Sequence, residues 1–206
     1  MGIGKVEALL FTEAVYEDEQ FRELEYQQQE LRSVKFYDCT FTKCDFSETV
    51  FIDCKFSGCV FENCNLNMIR MTDCEFTDAH FTNSKLVGLN WTEASWPKLV
   101  RQGMLRFEQC VLSHSTFIGL SLQKCLIKNC LAKDVDFREA DLSKADLSYT
   151  DFSESLFGNT NVTGADFRHA LNYSIDPGSN RISKAKFMMP EATSLLYSMD
   201  IQLVEE

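Results

Sequence analysis

The sequence predicts an all-β fold in which the chain coils into a filled solenoid, and three observations predict it. Large apolar residues recur at every fifth position. Small residues recur two positions before each of them. Polar residues suited to turns occupy the two positions after. A period of five is neither the 3.6 of a helix nor the 2 of a plain strand. It is the signature of one short structural unit repeated along the chain.

The first run of large residues steps from Phe11 through Tyr16, Phe21, Tyr26, Leu31, Phe36, Phe41, Phe46, Phe51, Phe56, Phe61, Leu66, Met71, Phe76, Phe81, Leu86 and Trp91 to Trp96. The register then slips by one residue. It resumes at Phe107 and continues through Leu112, Phe117, Leu122, Ile127, Ala132, Phe137, Leu142, Leu147, Phe152, Phe157 and Val162 to Phe167. Phe187 lies twenty residues further, in the same register. The small position carries Cys39, Cys44, Thr49, Cys54, Cys59 and Cys64, and later Ala140, Ala145, Thr150, Ser155, Thr160 and Ala165. With a more polar residue between, small and large residues point inward and the middle one outward, as on a three-residue strand. Strand and corner then alternate, each coil pairs with the next, and the inward side chains fill the interior.

All nine cysteines fall on the small position. A buried free cysteine behaves as a small hydrophobe, and that one placement accounts for every cysteine. There is no CxxC, and His80, His114 and His169 fall on outward positions, so no metal site is expected. Cysteines twenty apart, such as Cys39 and Cys59, would stack within disulfide range if four repeats make a coil. Their parallel side chains make poor bridge geometry, and they are expected to stay reduced.

Acidic residues exceed basic ones by 31 to 20, a net charge of −11. That opposes direct binding to a phosphate backbone and suits a partner with a basic groove. It also simply favours solubility. No signal-like segment, myristoylation pattern or window of about 18 apolar residues is present, so a cytoplasmic location is expected and no membrane contact. No nucleophile–base pair is apparent and a filled solenoid has no cleft, so the chain is not expected to be an enzyme or to need a cofactor.

Stretches such as ADLSKADLSYTDFSESLF and CTFTKCDFSETVFIDCKFSGCVFENCNL resemble the A(D/N)Lxx motif of the pentapeptide-repeat family over roughly residues 11 to 187. The resemblance implies a right-handed quadrilateral β-helix with four repeats per coil. The expected organisation is an N-terminal cap over 1–10, a first stack over 11–96, a second stack over 107–187 and a tail over 188–206. Residues 97–106 carry the register slip and read as a tolerated insertion. The alternative is a bend dividing the rod in two. In the tail, Asp176-Pro177-Gly178 reads as a turn. A short helix is expected from Pro190 at its first position, and Ile201 and Leu203 then alternate like a short strand. Phe187, Ala192, Leu195, Leu196, Met199 and Ile201 are the candidate dimerisation residues, since a last coil exposes an edge that must be covered.

With four repeats per coil, residues twenty apart stack. One edge then carries Glu13, Ser33, Asp53, Asp73 and Glu93, and the neighbouring edge Asp18, Asp38, Gly58, Asp78 and Lys98. These columns are the candidate partner-binding surface, although turn positions also favour Asp for backbone reasons. Eight or nine coils of about 4.8 Å make a rod of about 40 Å, and a head-to-head dimer of about 80 Å matches roughly two dozen base pairs. LVGLNWTEASWP (86–97) and the segment from Asn172 to Ile201 place the chain nearest the gyrase-protecting branch, among albicidin-resistance members. That resemblance implies an acidic, dimeric DNA mimic that binds DNA gyrase and protects it from a poison such as albicidin or a quinolone. Some quinolone-protecting relatives carry long projecting loops, which this chain lacks apart from 97–106, and this favours albicidin-like poisons. The alternative is a generic interaction scaffold with an unrelated protein partner.

Overall fold

The computed structural model describes residues 11–96, 103–199, 201 and 204. The expected cap at 1–10, residues 97–102 and Leu203 lie outside the described residues.

The chain winds as a right-handed quadrilateral β-helix, and four parallel ladders form its four faces. On the first face Leu31, Phe51 and Met71 are in register, and the ladder goes on from Asn90 through Thr116 and Asp136 to Leu156. The second face stacks Tyr16, Phe36, Phe56 and Phe76, then Ser121, Asp141, Asn161 and Arg181. The third is a six-stranded sheet from Gln20–Arg22 to Leu126–Lys128. The fourth runs through bridges from Glu25 to Leu171.

Each face has one large side chain per coil, directed inward. On the third face Phe21, Phe41, Phe61, Phe81 and Phe107 stack with ring centroids 4.8–5.1 Å apart and planes 9–14° apart. Rings on neighbouring faces meet edge to face, as Phe36 meets Phe41 at 74°. Both arrangements suit the aromatic quadrupole. The backbone ladder fixes the spacing of the rings, and aliphatic side chains such as Leu66, Leu86 and Leu112 fill the same inward positions where no aromatic stands.

The strands sit one residue later than the sequence pattern suggests. The strand around Phe41 is Thr40–Thr42, with the large residue at its centre. The small residue is buried at the corner before it, where a bulky side chain would keep adjacent faces from closing. It also hydrogen-bonds. The Cys64 thiol donates to Phe41 O at 3.3 Å and to Glu62 O at 3.4 Å, and Thr150 Oγ1 donates to Ile127 O at 2.7 Å. Cys, Ser and Thr therefore share this position because each offers a small body and one donor. All nine cysteines are free and buried. Burial pushes the Cys59 thiol up to about 12, so it stays protonated and inert.

The second residue after the centre occupies the left-handed region in nearly every repeat, from Asp18 (φ 56°) to Lys184 (φ 61°), Glu13 and Glu93 excepted. That conformation costs a non-glycine residue roughly 1–2 kcal/mol. The ladder over-determines it, because the same residue's N–H donates to the next coil, as Asp38 N does to Ser57 O at 2.8 Å. Gly58 leaves room for the Asp38 carboxylate below it: a Cβ there would lie 2.0 Å from Asp38 Oδ1, and that exposed side chain would have to turn away.

The register slip is the remainder of a larger insertion. Paired residues are twenty apart through the first coils, as in Phe61↔Phe81. Across the break they are twenty-six apart, as in Phe81↔Phe107 and Lys85↔Val111. Six extra residues are one whole repeat plus one, and counting by fives registers only the one. The third-face sheet passes through this level uninterrupted.

In the second half the residue before each centre is often Asp, and these carboxylates serve the backbone. Asp141 accepts from Ser143 N at 2.9 Å, and Asp146 and Asp151 each accept from both N–H and hydroxyl of the serine two residues on. Asp166 accepts from Arg168 N at 3.1 Å and also grips its guanidinium, with Nη2 2.7 Å from Oδ2. The hydrogen bonds from Arg168 hold the Asp166 carboxyl down to about 2. Its folded-state pKa is depressed, so its contribution is present above the unfolded value near 3.8 and is lost as pH falls towards 2. With Arg168 largely exposed, about 1 kcal/mol is expected from the pair. Asp166→Asn should lose that increment at pH 6 and show a shallower fall in stability between pH 4 and 2, read by urea unfolding at stepped pH.

The Asp176 turn forms as expected, with Asp176 Oδ1 accepting from Gly178 N at 2.7 Å. The tail helix is a 3₁₀ helix, Glu191–Met199. Pro190 precedes it rather than opening it, and its carbonyl accepts from Thr193 N at 3.0 Å. That bond closes the first turn, so proline serves as the acceptor before the helix.

Candidate interaction surface

The two acidic columns lie on the two edges of one face, the second. Asp18, Asp38, Asp53, Asp73 and Asp78 are all exposed, as is Glu13. Asp53 accepts a hydrogen bond from Ser33 Oγ at 2.9 Å, one coil below. Among the described residues, Asp18, Asp73 and Asp78 accept no side-chain hydrogen bond and enter no ion pair. The local backbone uses of Asp45, Asp141 and Asp146 are therefore not shared by these corner acids.

Glu93 departs from the column. It lies in a short 3₁₀ helix, Trp91–Glu93, capped by Asn90. Its carboxylate is half-buried beside Arg70, with Oε2 3.8 Å from Nε. The chain here must seat Trp91, fully buried and stacked on Phe117 at 5.5 Å, and the extra bulk replaces the ordinary corner with a helical turn. Lys98 lies outside the described residues.

The face between the two acidic edges is not acidic throughout. Lys35 and Lys55 stand in register on it, and Lys55 Nζ meets Glu75 Oε2 at 2.9 Å. Beyond the insertion the second edge changes sign. Lys124 and Lys144 take the corner positions, each donating its N–H to the next coil (Ser143 O and Thr163 O, both bonds 2.9–3.0 Å), and Lys184 follows after Gly164. All three are exposed, left-handed corners. The surface is thus two acidic rails over the first coils, with a lysine edge over the last. The sequence held the signal for this reversal, but finding it needed the true spacing of twenty-six across the insertion.

The tail residues divide into two groups. Phe187 completes the last level of the solenoid, its ring 5.0 Å from Phe167, and Leu195 packs against the core. Ala192 and Leu196 are half-buried. Met199 and Ile201 are exposed at 54% and 52%, with Tyr197 and Met189 more so, which leaves an apolar surface at this end. Among the described residues no cluster of His, Cys, Asp and Glu could hold a metal ion, and no helix is long and apolar enough to cross a membrane.

Profiles of pentapeptide repeats match residues 34–103 (the pentapeptide repeat region) and, as pentapeptide repeats in eight copies, residues 121–159 and 136–171. Together they span more than half of the chain, over the same coils that the ladders define. The chain belongs to the pentapeptide-repeat family.

Among solved structures this pentapeptide-repeat protein is similar to two trypsin-treated variants of QnrB1, a plasmid-mediated fluoroquinolone resistance protein. One superposes with a TM-score of 0.62 at 20% identity, covering 90% of this chain and 100% of that one. The other gives 0.59 at 18% identity, covering 93% and 99%. Full-length QnrB1 gives 0.56 at 19% identity, covering 88% and 100%. Among curated proteins compared by sequence, none matches. At these identities the likeness is one of fold.

Proposed function

We propose that this pentapeptide-repeat protein binds DNA gyrase, a type IIA topoisomerase, as an acidic mimic of duplex DNA and protects it from a poison such as albicidin or a quinolone, so conferring antibiotic resistance. The observation that carries the reading is the pair of acidic rails. Solvent-facing carboxylates recur at coil spacing on both edges of one face, unclaimed by the local backbone. Parallel rows of anions on a rigid rod suit a basic surface shaped for two phosphate strands. QnrB1, whose fold is similar, is a fluoroquinolone resistance protein, which supports the same class of role. The protein acts by occupying a surface and performs no chemistry.

The rails occupy only the first half of the rod. Two copies joined tail to tail, through Met199, Ile201 and the surface around them, would place acidic arms at both ends and the lysine edges towards the middle. The mimic is then two short arms rather than one continuous stripe.

The test uses purified protein and gyrase. Supercoiling and poison-stabilised DNA cleavage are titrated with and without albicidin or a quinolone, and light scattering reports the mass. Restored supercoiling with loss of cleaved DNA, from a particle of twice the 23.6 kDa chain mass, is the expected result. No effect on either reaction would remove the gyrase reading and leave an interaction scaffold with another protein partner.

A further inference from the structure

Among the described residues, the solenoid wall is incomplete at its C-terminal end. In each regular coil the large residue's N–H donates to the coil above, and the small residue's C=O accepts from it. Phe137 N donates to Leu156 O, and Leu156 N to Val135 O, both at 2.9 Å. One coil higher the corresponding groups are Phe157 N–H and Ser155 C=O, and among the described residues neither has a hydrogen-bond partner. The residue that should meet them is Asp176. Its carbonyl is taken by its own turn, accepting from Ser179 N, Asn180 N and Asn180 Nδ2, and Pro177 follows. The first face therefore ends one coil early, while the second and third continue to Arg181 and Lys186.

A cavity of about 790 Å³ opens there, between the free edge Ser155–Phe157, residues 172–176 and the 3₁₀ helix. This is the usual size for a ligand site. Two hydroxyls on its wall are buried without a hydrogen-bond partner: Tyr173 OH, on a side chain only 2% exposed, and Ser194 Oγ. Leu156, Phe157 and Ile175 make the apolar part of the wall. Its charged groups are Glu154, Asp176, Glu191 and Arg138; Arg138 is committed to Asp136 at 2.6 Å and Glu154 to Lys133 at 3.2 Å, which leaves Asp176 and Glu191. The net charge facing the cavity is negative.

We propose that this notch is a docking slot for an extended, basic peptide segment of a partner protein, which adds as a strand to the free edge. The open N–H and C=O supply the backbone pairing of strand addition. Glu191 selects a lysine or arginine side chain. The slot lies at the opposite end of the rod from the acidic rails and adjoins the tail surface given above to the second copy, with Tyr197 bordering both; the proposal does not depend on the gyrase reading.

The test uses the full chain, a fluorescein-labelled hexapeptide of alternating valine and lysine, and its valine–glutamate counterpart. Binding is followed by anisotropy and by exchange of the Phe157 amide in NMR. In the free protein this amide should exchange fast. The basic peptide should bind and slow its exchange about tenfold or more, and the acidic peptide should not bind. Glu191→Gln should weaken binding about fivefold. Absence of binding, binding that leaves the Phe157 amide fast, or equal binding of both peptides would overturn the proposal. So would protection of that amide in the protein alone that rises with protein concentration, which would make a second copy the occupant.

Discussion

Phe117→Ala is expected to destabilise the protein by about 3–5 kcal/mol, at the upper end for a large-to-small core substitution. Phe117 is fully buried. Its ring lies between those of Trp91, 5.5 Å away, and Phe137, 5.4 Å away, both nearly parallel to it. The cavity left behind cannot collapse, because ladder hydrogen bonds on all four faces hold the coils above and below at fixed spacing. In a solenoid each coil contacts only its neighbours. Weakening this level therefore loosens the joint between the coils before and after the insertion. Urea unfolding followed by circular dichroism should show a lower midpoint, and a transition that broadens or divides. Phe157→Ala provides the contrast. Its ring is only half-buried beside the open notch, and the space it leaves is open to water, so the loss should be about half as large. Equal losses at the two sites would show that the coils do not hold their spacing rigidly.

Reversing Asp53, Asp73 and Asp78 together to lysine is expected to raise the concentration needed to protect gyrase by about tenfold or more while leaving the fold intact. All three are exposed and lie outside the core. Among the described residues, the only side-chain hydrogen bond lost is the one Ser33 Oγ donates to Asp53, so the melting temperature should move by no more than a few degrees. Raising the salt concentration should weaken the native protein's effect and act little on the variant. Reversal of Glu48, Asp134 and Glu154, exposed corner acids on another edge, changes the net charge by the same amount and controls for it. If the triple variant protects as well as the native protein, the rails are not the contact surface. Glu93 is left out of the set because Arg70 and Asn90 hold it.

The inward-facing large residues were legible because burial in a filled coil is periodic. Every fifth residue must be apolar, and Phe61, Phe81 and Phe107 show it without any knowledge of pairing. The role of the cysteines followed from the same period. The acidic columns were legible up to Asp78, where the spacing is uniform. Glu93 was misread because the need to seat Trp91 is a matter of volume in three dimensions. The lysine edge was missed because the length of the insertion shows only in which residues pair. The notch at Ser155–Phe157 could not be read at all, since it consists of backbone groups left without partners.

Sequence by itself thus determined the repeat, the inside and outside of every coil, the sign of the net charge and the family. Each of these depends on one residue type recurring at one spacing along the chain. Tertiary structure decided which carboxylates the backbone consumes and which remain for a partner, where the acidic edge turns basic, and where the wall fails to close. These depend on which residues lie across from each other twenty or twenty-six positions apart, and on whether a carbonyl such as that of Asp176 has already been taken by its own turn.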